Sequence, residues 1–381
     1  AFGGRCFNYG RPEVATLLNS KIYYLLRELH IDGLFVEGLS SMLYLDYGKN
    51  DGEWTANIYG GNENLEAIHF VKELNQSLHQ EFSYAITLTR EEGLFPKVTE
   101  AISDGGLGFD YIINNGFGSE FLDFIKGDNS FTDLNKLTDN MAYAYCENYV
   151  LSIAKEDILL ASNYDYGAIE QGADYFDVIN LNEDEKEAAK RSLLAYFMAR
   201  PGKKLLNINV EDGKSLPVLG KLYKELPALH SLDRNPYGFE WIKAMNTGDG
   251  VLSFVRKDEY LNHSVLVVCN FSDNEYAGYK FGMPYEGKYK LIFSSDDKKF
   301  GGKTTVGGKN KETVEEFYDG RPNSLTLKLA PMTTAFYSYT PYNEEELLKI
   351  AQEKVAKYKA KVEKEAKEKA KALKEANGAV K

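Results

Sequence analysis

Apolar residues Val14, Leu17, Leu18, Ile22, Leu25, Leu26 and Leu29 recur at helical spacing, so the chain opens with an amphipathic helix. Arg11-Pro12-Glu13 starts it, because proline and acidic side chains both suit a first turn. An apolar run over 31–36 follows, broken only by Asp32-Gly33 and closed by a single carboxylate, Glu37. A buried parallel strand reads this way when its C-terminal end carries an acidic group to the mouth of a sheet or barrel. Glu37 is therefore the first candidate for chemistry, although the strand alone fits a carboxylate that merely caps the next element.

The alternation continues. A Gly/Asn-rich loop over 57–62 precedes a helix over 63–78, and a β-rich segment covers 84–89. Short strands are expected over 109–113, behind Gly105-Gly106-Leu107-Gly108, and over 149–154. Asn182 or a neighbour caps a helix over 183–199, which Pro201-Gly202 ends. A last strand over 204–210 and a helix over 216–226 complete the series. Strands alternating with helices in this way fit an α/β barrel entered partway round better than a complete doubly wound sheet.

The texture changes near residue 236. Segments 251–255, 264–270, 289–293, 324–329 and 333–339 are short strands separated by turns, the pattern of an antiparallel sandwich. From 343 to 376 the chain is a Lys/Glu/Ala run with pairs such as Glu353-Lys357. Helix propensity is high there, but apolar residues are too sparse for a coiled-coil seam, so a solvated single helix is expected. The expected fold class is thus α/β: a partial (β/α)8 TIM-type barrel over 1–230, an all-β sandwich over 231–341 and a charged helical tail over 342–381.

With 381 residues, 43% hydrophobic and 27% charged, the composition is that of an ordinary globular protein. A net charge of −12 argues against nucleic acid as a partner. Nothing approaches the run of about 18 apolar residues that a membrane span needs. Cys6, Cys146 and Cys269 are far apart and odd in number, and read as buried thiols of a cytoplasmic protein. The histidines show no metal-ligand spacing, so neither metal nor cofactor is expected. Gly105 to Gly108 precedes a strand and lacks a following Lys-Ser/Thr, which excludes a phosphate loop. The start, Ala-Phe-Gly-Gly, reads as a piece of something longer.

Several blocks together resemble a known family. FNYGRPEV at 7–14, HIDGL and SMLYLDY within 30–47, NIYGG and ENLEAI within 57–68, GGLGFD at 105–110, PGKKLL at 201–206 and VLVVCNF at 265–271 resemble the glycogen branching enzymes of the α-amylase superfamily. The resemblance runs in order to about Tyr339 and implies a barrel followed by an all-β domain. It also implies a retaining reaction that cuts an α-1,4 glucosidic bond and rejoins the segment as an α-1,6 branch. Such chemistry needs a carboxylate nucleophile and a protonated acid about 5 to 5.5 Å apart.

Each catalytic position departs from the family's pattern. The nucleophile motif, DGLRVDAV in the family, is Asp32-Gly33-Leu34-Phe35-Val36-Glu37-Gly38-Leu39 here, so Glu37 replaces the nucleophilic Asp and Phe35 the Arg that orients it. The acid motif, TIAEES in the family, is Thr87 to Glu92 here and places Arg90 at the general acid. The Ser-His-Asp-Glu run is Ala154-Lys155-Glu156-Asp157, with Lys155 for His and Glu156 for the transition-state Asp. One extra methylene displaces the Glu37 carboxylate by roughly 1 Å, a misplacement worth on the order of a hundredfold. Arg90 is the more damaging change, since a guanidinium cannot serve as acid and then base, a role worth about 10² to 10⁴. The family's GNEFGQ-like loop is also missing, because the chain passes from 209–212 almost directly to the last helix.

The sequence therefore points to a catalytically degenerate branching-enzyme relative that keeps the scaffold, with Asp46, Trp54 and Asn57 as retained α-glucan contacts. Association with an active branching enzyme would suit such a protein. The alternative is an active 1,4-α-glucan branching enzyme in which Glu37, Glu91 or Glu92 has taken over a role.

Overall fold

The computed structural model describes residues 6–90, 95–126, 134–154, 181–207, 214–244, 248–260 and 263–378. Helix α1 (Pro12–Glu28) starts with proline in its first turn and leads into β1 (Gly33–Val36). The short α2 (Leu39–Leu43) and the longer α3 (Leu65–Glu81) follow, α3 capped by the Asn64 side chain. Then come β2 (Ile86–Arg90), β3 (Tyr111–Asn114), α4 (Asn115–Lys126), α5 (Asn135–Asp139) and β4 (Tyr149–Ala154). Helix α6 (Glu183–Ala199), β5 (Lys203–Asn207) and α7 (Leu216–Glu225) close the series.

The five strands lie in the order β1-β2-β3-β4-β5, and every neighbouring pair is parallel. A doubly wound sheet reverses its strand order at a switch point. This one does not, so it is a run of consecutive barrel strands. Leu34 and Val36 pack into a cluster with α1 and α3, while Leu151 and Ile153 pack into another with α4 and α6. On the opposite, inner face Phe35, Ile86 and Leu205 remain 47%, 50% and 42% exposed. Those three lie on or beside the edge strands β1 and β5. Helix α1 belongs to the same edge: Leu26 is buried, but Leu17, Leu25 and Leu29 are exposed, a narrower buried face than the sequence pattern suggests.

Two close approaches in the parallel-sheet region require glycine. A Cβ at Gly33 would lie 2.3 Å from the Ile86 carbonyl oxygen, and one at Gly106 would lie 2.1 Å from that of Glu100. Gly105 to Gly108 is accordingly a tight turn into β3.

The second region comprises β6 (Phe239–Lys243), β7 (Val251–Arg256), β8 (Val265–Asn270), β9 (Tyr276–Met283), β10 (Lys288–Ser294), β11 (Lys311–Glu312), β12 (Asn323–Leu329) and β13 (Thr333–Thr340). A six-stranded sheet ordered β11-β10-β13-β8-β7-β6 faces the pair β12-β9. Residues in β7 and β8 are buried at every position, because both faces of these central strands are covered. Val255, Leu266 and Val268 meet the β9/β12 pair, while Leu252, Phe254, Val265, Val267 and Cys269 join the core built on α6.

The C-terminal helix α8 (Glu344–Gly378) begins with a reciprocal cap, in which the Glu346 amide donates to Asn343 Oδ1 at 2.9 Å and the Asn343 amide to Glu346 Oε2 at 3.2 Å. Lys288–Glu346 and Lys354–Glu315 ion pairs hold its first turns. Among the described residues no helix is long and apolar enough to cross a membrane. The cysteine expectation needs correction: all three are free, but only Cys269 is buried, and Cys6 and Cys146 are exposed. Both stand in loops outside the strands and helices, where no sheet covers them.

A buried charge cluster joins the two regions. Arg256 on β7 is fully buried, donating from Nη2 to Asp233 Oδ1 at 2.8 Å and from Nη1 to the Ala199 carbonyl at 2.7 Å. Lys203 on β5 reaches the other Asp233 oxygen at 3.2 Å. Burial alone would raise the Asp233 pKa, but Lys204, Arg256 and Lys203 outweigh it and hold the carboxyl below its ordinary value. Asp233→Ala should therefore leave a buried guanidinium unpaired and destabilise the fold by about 3–5 kcal/mol in urea unfolding. The depressed carboxylate stabilises the fold above an unfolded pKa of about 3.9, and this contribution is lost as pH falls through the folded value. Acid unfolding of the Asp233→Asn variant should accordingly show a shallower pH dependence below about pH 4.

Candidate active site

Glu37 follows the last residue of β1 and is exposed at the C-terminal end of the sheet. Gly38, at φ +68°, turns the chain sharply into α2, and its carbonyl accepts from Ser41 Oγ at 2.7 Å. That left-handed step favours glycine, which has no Cβ to clash there. Strand register pairs Phe35 with Leu88 and Val36 with Thr89, so Glu37 stands level with Arg90 across the β1–β2 edge. Phe35, Leu88 and Arg90 share the inner face, since Leu34 and Val36 pack toward the helices. Arg90 in turn pairs with Ile113 on β3, which continues the row across the sheet.

Arg90 is half-buried, and its Nε is buried without a hydrogen-bond partner. The neighbouring Thr89 hydroxyl donates to the Val36 carbonyl at 2.9 Å and ties the ends of β1 and β2 together. These two strand ends thus bring a carboxylate and a guanidinium to one rim. No ion pair joins Glu37 to Arg90 among the described residues. Glu91 and Glu92 lie outside the described residues, as do Lys155 and Glu156 beyond the end of β4.

The loop from β1 to α3 carries the expected glucan contacts, and its polar groups are largely occupied. Both Asp46 carboxylate oxygens accept from Asn62 Nδ2, at 3.1 and 3.0 Å. Asn57 Oδ1 accepts from the amides of Tyr59 and Gly61 at 2.9 and 3.0 Å, while its Nδ2 donates to the Glu63 carbonyl at 2.9 Å. Asn57 is therefore a turn former. Trp54 is half-buried. Ile58 and Tyr59, which were not among the sequence candidates, are 85% and 82% exposed at the tip of this loop. The signal for that was available, since an apolar pair between Asn57 and Gly60-Gly61 is a turn with apolar tips.

Among the described residues no group of three His, Cys, Asp or Glu is placed to hold a metal. A separate groove of about 1060 Å³, lined by Arg191, Leu291, Lys309 and Tyr337 among others, opens beside the β sandwich.

Comparison with known proteins bears on the fold. The all-β domain model of the α-amylase C-terminus matches residues 241–340. A 1,4-alpha-glucan branching enzyme GlgB of Prochlorococcus marinus is 34% identical over 367 residues, covering 89% of this chain and 47% of that protein. GlgB 1 of Clostridium perfringens is 32% identical over 375 residues, covering 91% and 54%. The chain is a branching-enzyme-like protein of the α-amylase superfamily. It spans about half the length of the curated relatives it matches. Among solved structures, the α-amylase of Geobacillus thermoleovorans superposes with a TM-score of 0.56 at 12% identity, over 87% of this chain and 65% of that one. An Anoxybacillus α-amylase gives 0.53 at 15% identity, over 87% and 64%. These two show the shared fold.

In this branching-enzyme-like chain, the rim depends on the close β1–β2 approach at Gly33. Gly33→Ala should force the two strands apart where the Ile86 carbonyl blocks a Cβ. The expected destabilisation is about 1–3 kcal/mol in thermal or urea unfolding, with amide exchange quickened in β1.

Proposed function

We propose that this chain is an α-glucan protein of the branching-enzyme type that has lost transfer chemistry and acts by holding polysaccharide. The observation that supports this most is the register of Arg90, which stands on the inner face at the end of β2 and level with Glu37. By resemblance that is the place of the proton donor. A retaining mechanism asks one group there to release a proton to the leaving oxygen and then take one from the incoming hydroxyl. A guanidinium keeps its proton throughout. Phe35 in turn offers no positive charge to keep a nearby carboxylate ionised and aligned. Glu37 keeps a carboxyl group at the rim, but a nucleophile without a partner acid forms no glycosyl intermediate at a useful rate.

The relatives named as 1,4-alpha-glucan branching enzymes make α-glucan the substrate class of this reading. The same reading includes association with an active branching enzyme. The exposed inner-face residues Phe35, Ile86 and Leu205 offer an apolar surface that further β/α units would cover. Three free cysteines suit a reducing cytoplasm.

Incubation with amylose, followed by isoamylase treatment and chain-length analysis, tests the chemistry. New α-1,6 linkages should stay at the level of the protein-free control. Linkages that form with the wild type and disappear in Glu37→Gln would overturn the proposal in favour of an active transferase. Retarded migration of the protein in glycogen-containing gels is the expected sign of retained glucan affinity.

A further inference from the structure

The two most exposed large apolar side chains among the described residues are sequence neighbours, Ile58 at 85% and Tyr59 at 82%. A turn built on Asn57 holds them out. The Gly60 amide donates to the Asn57 carbonyl and the Asn57 amide to the Gly61 carbonyl, both at 2.9 Å. The Asn57 side chain adds its two acceptor bonds and one donor bond, and Gly60 adopts φ +83°. Below the turn the loop is braced by Asn62 against Asp46 and by the Leu45 amide on the Asn62 carbonyl at 2.7 Å. The tip is therefore fixed before any ligand arrives. It belongs to the loop leaving the C-terminal end of β1, immediately after Glu37, and loops at that end of barrel strands form binding sites.

We infer that Tyr59 is a stacking platform for a linear α-glucan chain at the barrel mouth, with Ile58 as its aliphatic flank and Asn57 as the residue that positions both. The inference rests on the glucan reading above and deepens it. The size and shape of the feature select the occupant. Two convex side chains are far smaller than the roughly 800 Å² that each partner of a stable protein complex buries, but they match the flat C–H face of one or two glucosyl rings. A phenol ring offers a large apolar face with few rotatable bonds, so little freedom is lost when a sugar stacks on it. The preformed turn lowers that loss further. Asp46 and Asn57, the polar candidates, face inward to build the loop, and the aromatic tip is what remains for the ligand.

Affinity electrophoresis in gels cast with glycogen separates this inference from the reading beneath it. Wild-type protein should be retarded, and Tyr59→Ala should weaken the apparent dissociation constant about three- to tenfold. Tyr59→Phe, which keeps the ring, should stay within about twofold of wild type. Asn57→Ala should also weaken binding, with faster amide exchange confined to the loop tip. A wild type that is retarded while Tyr59→Ala migrates identically would overturn the Tyr59 assignment and leave the glucan reading standing. A wild type that shows no retardation would overturn both.

Discussion

Helix α6 is buried on every side over residues 193–199, and a helix that is apolar all round must be enclosed all round. Its neighbours do so from both regions: α4 and β4 of the parallel sheet on one flank, β8 and β13 of the sandwich on the other. Much of the rest follows. Because α6 fills the seam, the central sandwich strands have no solvent face, and β7 and β8 are buried throughout. Polar groups caught there must find partners within the protein. Ser192 and Thr334 pair their hydroxyls at 2.9 Å, and Arg191 Nε donates to the Ser295 carbonyl at 3.1 Å.

The same enclosure explains the charge cluster around Asp233. Arg256, Lys203 and Lys204 converge on one carboxylate at the foot of β5. Lys204 donates to the carbonyls of Arg200 and Gly202, with its ammonium over the Tyr223 ring at 5.3 Å. Burial pushes its pKa down to about 7, and the nearby Arg256, Lys203 and Arg200 act in the same direction. These groups sit at the N-terminal ends of the strands, the end that serves stability in barrels of this kind. The opposite ends carry Glu37 and Arg90. Scaffold and site thus occupy different ends of one sheet, and a chain can keep the first while the second diverges.

Under the proposed reading the changes at the rim are chemically coherent. In that reading Phe35 stands in place of an orienting cation and Arg90 in place of a proton donor, which reverses the charge layout of two adjacent strand ends while leaving their backbone register intact. The cross-link from Thr89 Oγ1 to the Val36 carbonyl, the close approach at Gly33 and the braced loop over 44–64 all survive. In that reading the rim offers shape and apolar surface to a sugar polymer.

Much of the plan was legible in residue order. Strand β4 and helix α6 fell where alternation and the Asn182 cap put them, since local propensity and burial agree there. Both the singly wound sheet and the antiparallel sandwich follow from period and punctuation, which are local properties. Strands β6, β9 and β11 were missed. Lys and Glu residues dilute the pattern in β6 and β11, and glycines do so in β9, so only pairing with neighbours makes strands of them. The sequence by itself determined which residue types stand at the strand ends that the resemblance singles out, because motif spacing is covalent. Only the tertiary structure decided that Asn57 and Asp46 turn inward. Which way these side chains face is set by hydrogen bonds, from Asn57 to backbone two to six residues on and from the Asn62 side chain to Asp46, and no periodicity records that.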